Sequence, residues 1–380
     1  MRTVNLGEPS VGPRELEAVR QVLASGWLSG AGPACRALEA ELAETVGAGS
    51  ALATSNCGAA LHLALVTLGV TPGDEVIVAD YTFPATGHAV RWVGATPVFA
   101  DVRPDTWCVD VQSVASMVSQ RTVGVIAVDV FGQPADYDEL RAVTESSGLW
   151  LVEDAACALG ATYRGRPAGS VADLAAFSFH GRKGATAGEG GALVAPGLDG
   201  LDRARVLHTY GSEPAYGRAV SAVATPTFSE IGFNYRLSEI QAAMMRVQLD
   251  RLPELLGARS AAAAAYADLL GDLEQVTLPT ALPDRTHPWQ AYVLTLERWF
   301  DRDAVAIALR ERGVGCTFGT FASHLLPVYS SREDCPISAD LFRRHLAVPM
   351  HANLVEDDVA YVAETIRSVL SLDLVRADSS

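Results

Sequence analysis

Lysine is almost missing from this 380-residue chain: Lys183 stands alone among 29 basic residues, the rest being arginine. Arginine stays charged at every accessible pH, so Lys183 is the one side chain able to become a primary amine nucleophile. Positive charge as a whole is also scarce. A formal net charge of -16 excludes a nonspecific nucleic-acid binder and a protein held to anionic membranes, since both need a basic surface. It leaves room for an anionic small molecule in a local site. No apolar run reaches the roughly 18 residues of a membrane span. The six cysteines form no CxxC pair and no framework spacing, which excludes a zinc knuckle and a disulfide scaffold and fits a reducing compartment. The opening "MRTVNLGEPSVGPRELEAV" has no apolar core of the signal-peptide kind, so a soluble cytoplasmic protein is expected. No GxGxxG follows a strand pattern, which argues against a dinucleotide-dependent oxidoreductase. Internal repeats are absent, and the only biased stretch is the alanine run at 261–265.

What is present is an alternation of short apolar runs and helical patterns. "DEVIVAD" (74–80), "TPVFADV" (96–102), "VGVIAVDVF" (123–131), "LWLVEDA" (149–155) and "LAAFSF" (174–179) read as buried strands. "GAALHLALVTLG" and "DYDELRAVTESSG" supply helices between them. "GPRELEAVRQVL" starts with proline at a first helical position and places Leu16, Val19 and Leu23 on one face of an amphipathic helix. Strand alternating with helix implies an α/β fold with a mainly parallel sheet covered on both sides. After residue 235 the pattern is helical through residue 273, with Pro253 as the expected break. A second α/β pattern follows: "WQAYVLTL", "DAVAIALRERG", "AVPM" and the closing "EDDVAYVAETIRSVL". Two domains are expected, 1–250 and 251–380, with the N-terminal segment free to pack on the second.

Ligands of such sheets bind beyond the carboxyl ends of the strands, and four segments offer special residues there. In "ATSNCGAALHLAL", Ser55, Asn56, Cys57 and Gly58 lead into a helix whose free amides suit a phosphate, although Ser55 or Asn56 could also be an ordinary N-cap. In "LWLVEDAACALGA", Asp154 ends an apolar run, where its carboxylate could pair with a protonated ring nitrogen or cap a helix. In "AFSFHGRKGATAGEGGALV", Ser178 and His180 close a strand and Lys183 sits among glycines that allow a flat ligand close approach. In "DYTFPATGHAV", Phe83 follows a strand and could stack on a ring or join the core. Together these are the needs of pyridoxal 5'-phosphate: an amine for its aldehyde, a carboxylate for its pyridine nitrogen, a helix N-terminus for its phosphate and an aromatic cover.

At these residues the chain resembles the DegT/StrS-type sugar aminotransferases. The likeness runs through "GWLSGAGP", "GDEVIVADYTFPAT", "GATPVFADV", "VEDAACALGA", "FSFHGRKGATAGEGG" and "GFNYRLSEIQAAMMRVQLDRL", and more weakly to the C-terminus. The resemblance implies the fold type I of pyridoxal-phosphate-dependent transferases: a large domain with a mainly parallel seven-stranded sheet and a smaller C-terminal α/β domain. It implies that Lys183 forms the Schiff base and shuttles the proton, and that Asp154 pairs with the pyridinium. Cys57 and Gly58 would give amides to the phosphate, Ser178 its hydroxyl, and Phe83 would cover the ring. Asn234, in "GFNYR", would reach the phosphate of a neighbouring subunit in a homodimer. Three positions depart from the family pattern: Gly58 where threonine is common, Cys157 beside the cofactor where glutamine is usual, and Phe321 where relatives often have tyrosine. Lys183 itself argues against the family's sugar dehydratases, which carry histidine there. The implied activity moves an amino group from L-glutamate or L-glutamine to a keto sugar, nucleotide-linked, or to a keto cyclitol, in amino-sugar or antibiotic biosynthesis. Arg236 is a candidate for holding a nucleotide, or else makes a surface salt bridge. No metal is expected. The rival readings are elimination chemistry on the same cofactor, motivated by Cys157, and a metabolite sensor without turnover.

Overall fold

A computed structural model describes residues 2–213, 225–331, 333–372 and 375–376. Seven strands form its main sheet: β1 (Ser50–Thr54), β2 (Glu75–Ala79), β3 (Thr96–Ala100), β4 (Thr122–Val128), β5 (Trp150–Asp154), β6 (Leu174–Ser178) and β7 (Gly191–Ala195). Their spatial order is β1-β7-β6-β5-β4-β2-β3. Strands β6, β5, β4, β2 and β3 pair in parallel, whereas β7 runs antiparallel to both β1 and β6. The expected mainly parallel sheet is therefore present, with one strand reversed. Almost every residue of β2, β4, β5, β6 and β7 is buried, as continuous Val, Ile, Leu and Ala runs require when helices cover both faces.

The strand expected over 123–131 stops at Val128. Val130–Gly132 instead makes a tight turn, with Phe131 at φ 56 and Gly132 at φ 111, a conformation no strand contains. The helical stretch after residue 235 divides into Glu239–Asp250 and Leu252–Leu270, and Pro253 occupies the first turn of the second, where its missing N–H costs nothing. A four-stranded sheet is built from Val276–Thr277, Tyr292–Leu296, His345–Val348 and Thr317–Phe318, in that order. Val4 bridges Val314 and joins the core of this second sheet, so the N-terminus packs on C-terminal elements.

Helix α1 (Pro13–Ser25) forms where the proline signal places it, but Leu16 and Leu23 face solvent. Its buried residue is Glu15, which accepts from the Gly12 amide at 2.8 Å and pairs with Arg251 at 2.8 Å. Gln248 adds a third bond, also at 2.8 Å. Three donors replace the lost water, and the apolar stripe is left outside.

The register of β4 and β5 sets Gly124 directly beside Trp150. A β-carbon on Gly124 would lie 2.0 Å from the indole, so the ring occupies the space a side chain would need. Gly124→Ala should lower stability by about 1–3 kcal/mol through overpacking, with a matching drop in the denaturant midpoint. An unchanged midpoint would show that the indole moves aside freely.

Candidate active site

The carboxyl ends of β1, β2, β4, β5 and β6 and the segments that follow them enclose a cavity of about 710 Å³. Cys57, Gly58, Phe83, Asp154, Cys157, Ser178 and Lys183 all line it. Seven of the eight residues singled out from the sequence are thus brought together. The eighth, Asn234, is exposed and pairs its backbone with Thr209, away from this wall. Arg236 also lies elsewhere, its guanidinium over the Tyr210 ring at 5.4 Å.

Lys183 reaches the cavity because β6 and β7 are antiparallel neighbours joined by residues 179–190. Phe179 and Gly190, then Gly181 and Gly188, continue the pairing with N–H to carbonyl bonds of 2.9 Å, and the Lys183 amide turns back onto His180 O at 2.9 Å. β6 lies beside β5 with Ala176 level with Asp154, so the loop stands next to the end of β5. Lys183 Nζ is 3.0 Å from Cys157 Sγ. Burial pulls the lysine pKa down, but Cys157, Cys57 and Asp154 as potential anions outweigh it, and the pKa is raised. Burial also pushes the Cys57 thiol far up, which keeps it neutral, so the buried Asp154 carboxylate is an anion that faces the lysine. A free Lys183 rests as an ammonium and must lose a proton before its nitrogen can attack.

Asp154 is buried, and desolvation raises its pKa against the Thr86 hydroxyl, the Ala156 amide and the Lys183 charge. Thr86 Oγ1 donates to Asp154 Oδ2 at 2.7 Å, and the Ala156 amide to Oδ1 at 3.2 Å. Thr86 belongs to α4 (Ala85–Trp92), one turn after Phe83, and is itself 3.0 Å from Thr82 Oγ1. Sequence reasoning did not single it out. The string "TFPAT" already contained a hydroxyl three residues past Phe83, in the first turn of the helix that follows.

Helix α3 (Cys57–Thr67) opens with Asn56 as N-cap, its side chain accepting from Ala59 N at 2.8 Å. The ordinary cap and the anion site are therefore compatible. Among the described residues nothing accepts from the Cys57 or Gly58 amides, and both line the cavity. Phe83 stands at the mouth, 65% exposed, with Phe321 edge-on at 6.1 Å. The short strand before it, Tyr81–Thr82, pairs with Phe321–Ala322. Asp80 anchors this pairing: its Oδ2 meets His324 Nδ1 at 2.7 Å, which raises the histidine pKa.

The C-terminal part adds Gln290, Gly319 and Thr320 to the wall. Arg259, buried, donates to the carbonyls of Trp289, Gln290 and Met350 at 3.0, 3.3 and 3.3 Å and approaches Lys183 O at 3.5 Å. These acceptors are neutral, and burial lowers its pKa to about 10. None of these residues had a local sequence signal.

The donor set suits pyridoxal 5'-phosphate. Two unpartnered amides at a helix start and the Ser178 hydroxyl match a phosphate, a buried carboxylate matches a pyridinium, and the amine stands between them. Thr86→Val should remove a hydrogen bond to a charged group, a loss of about 1.5–3 kcal/mol. Affinity for pyridoxal phosphate, followed by absorbance titration, should fall by about tenfold or more, while Thr86→Ser retains it. Equal affinity in wild type and Thr86→Val would mean that Asp154 stays ionised without the hydroxyl.

A model of the DegT/DnrJ/EryC1/StrS aminotransferase family matches residues 9–367. The chain is 34% identical over 372 residues to the GDP-perosamine synthase of Caulobacter vibrioides, covering 97% of this chain and 98% of that protein. The crystal structure of the aminotransferase TlmJ from Streptoalloteichus hindustanus superposes with a TM-score of 0.91 at 31% identity, covering 97% of this chain and 99% of the other. DesI, solved in the presence of its TDP-sugar product, gives a TM-score of 0.88 at 35% identity over 97% of this chain and 93% of its own.

Proposed function

Because the chain belongs to the DegT/DnrJ/EryC1/StrS aminotransferase family and is a pyridoxal-phosphate-dependent sugar aminotransferase, we propose that it aminates a keto sugar carried on a nucleoside diphosphate. The donor is L-glutamate or L-glutamine, and the product is an amino sugar for secondary metabolism. One observation supports this reading above the others: Lys183, Asp154, Ser178 and the start of α3 converge on a single cavity. One relative is named for a GDP-linked sugar and another was solved with a TDP-sugar product, and both favour a nucleotide-linked ketone over a free cyclitol.

When bound, pyridoxal phosphate supplies an aldehyde that takes up amino groups and a protonated ring that accepts electron density. The residues do the rest. Asp154 would hold a proton on the ring nitrogen, and Thr86 and the Ala156 amide keep its carboxylate ionised and fixed. The Cys57 and Gly58 amides and Ser178 Oγ would hold the phosphate, and the α3 dipole would favour its charge. Phe83, at the mouth, would cover the ring. Lys183 Nζ is the amine that would hold the cofactor at its aldehyde, and when free it would carry a proton to and from a substrate carbon. Cys157, at 3.0 Å from Nζ, offers that nitrogen a soft partner where the family usually offers an amide.

The active unit is a homodimer in the cytoplasm, with Asn234 reaching the partner's phosphate. Asn234 is exposed and off its own cavity, and Phe228 and Ile231 near it are exposed apolar side chains at 63% and 93%, as suits a face covered by a second copy.

Purified protein with pyridoxal phosphate should show a visible absorption band that L-glutamate or L-glutamine bleaches. Lys183→Ala should lack the band, and Lys183→Arg should not restore it, because arginine keeps its charge but offers no amine. Adding a nucleotide-linked keto sugar to the bleached enzyme should bring the band back. A band that neither donor discharges would replace this reading by elimination chemistry or a sensor.

A further inference from the structure

At the cavity floor two acidic residues are left unused by the mechanism: Asp129, which is among the lining residues, and Glu153 behind it. Glu153 precedes Asp154 on β5, so the two point to opposite faces of the sheet. Across the parallel register, Ala127 of β4 is level with Glu153, and Asp129, two residues on, projects to that same face. Asp129 and Glu153 are both fully buried. Each has one oxygen occupied by donors. Asp129 Oδ1 accepts from the Ala135 amide at 3.0 Å and the Tyr137 hydroxyl at 2.7 Å, and Glu153 Oε2 accepts from the Gly169 amide at 2.9 Å. The other two, Asp129 Oδ2 and Glu153 Oε1, have no donor, and the two carboxyl groups are neighbours on that face of the sheet. Among the described residues no basic side chain is hydrogen-bonded to either.

Two carboxylates in that position, each lacking a donor and both sealed from water, would repel one another and leave two buried charges uncompensated. A single proton between the two oxygens removes one charge and satisfies both atoms at once. We propose that Asp129 and Glu153 share one proton in the folded enzyme, and that this makes Asp129 a positioning residue holding the Val130–Phe131 wall of the cavity against Asp154. The inference rests on the reading of that cavity as the cofactor site.

The positioning follows from what Asp129 ties together. Its amide donates to Asp154 O at 3.1 Å, and its carboxyl gathers Ala135 and Tyr137 from the far side of the turn that begins at Val130. Within that turn Phe131 adopts a left-handed conformation, φ 56, which a phenylalanine keeps only under outside constraint. Val130 and Phe131 both line the cavity. Glu153 fixes the Gly169 turn on the other side, and the shared proton joins the two anchors.

The charged and titratable groups facing the pair are Asp154, Tyr137 and Cys108. Burial, the largest cause, raises the pKa of both acids, and Asp154 raises them further. A proton bound in the folded state above the ordinary carboxyl range contributes stability at low pH, and that stability is lost as pH rises through the raised value.

Asp129→Asn tests this because its amide can donate to Glu153 without a titrating proton, while its oxygen still accepts from Ala135 and Tyr137. Glu153→Gln does the same from the other side. The infrared spectrum of the wild type near neutral pH should contain a protonated-carboxyl carbonyl band that is missing from both variants. The wild-type melting temperature should fall as pH rises from the ordinary carboxyl range to about 7, the raised value of Asp129, and this fall should be shallower in Asp129→Asn. Asp129→Ala, which leaves Glu153 without its partner, should bind pyridoxal phosphate about tenfold more weakly or worse, with Asp129→Asn restoring most of the loss. A wild-type spectrum without the band, or a band that survives in both variants, overturns the shared proton. Equal binding by Asp129→Ala and wild type overturns the positioning role. The infrared and melting readouts need no cofactor, so they decide the shared proton even if the cavity proves to bind another ligand.

Discussion

A carboxylate cut off from water has to be held by donors, and the buried Asp154 at the end of β5 sets that requirement for this molecule. Thr86 comes to it from α4, the Ala156 amide from the turn that follows it, and the Lys183 charge from the loop between β6 and β7. Each contributor sits on a different element, and each is within reach because parallel strands deliver their carboxyl ends to one edge of the sheet. The reversal of β7 belongs to the same solution. An antiparallel neighbour returns the chain after a short loop, so the lysine stays next to β5 instead of being carried across the sheet by a helical crossover.

The distribution of charge around that carboxylate explains why lysine survives at one position only. Arginine serves wherever a fixed cation must bridge carbonyls or carboxylates, as Arg259 does at the seam and Arg285 does between Asp136 and Asp284. The proposed role of residue 183 needs a nitrogen that exists both with and without its proton, and a guanidinium cannot do that. The acidic neighbours that raise the lysine pKa also make its free form an ammonium ready to return a proton. Among the described residues Asp129 and Glu153 have no hydrogen-bonded basic partner, and the proposed shared proton takes its place.

The second sheet completes the site by a different principle. Its segments bring few groups of strong chemistry, but they close the cavity with Gly319, Thr320 and Gln290 and fasten it through Arg259 and the Asp80–His324 pair.

Local pattern was enough for the elements and the chemical cast. Apolar runs at 74–80, 96–102, 149–155 and 174–179 became strands with their ends within a residue or two, because short apolar runs record burial directly, and seven of eight chosen residues met at one cavity, because they follow strands that end at one edge of the sheet. What the order of residues did not record is which side chains from distant segments meet. Thr86 gains its meaning only from the approach of Asp154, 68 residues away. Glu15 is buried and Leu16 exposed only because Arg251 and Gln248 arrive from the far part of the chain. The strand read to residue 131 ends at Val128 because Asp129 turns to Ala135 and Tyr137. Periodicity reports which face a residue shares with its neighbours; the partner that satisfies a buried polar group is supplied by tertiary packing, and no local pattern carries it.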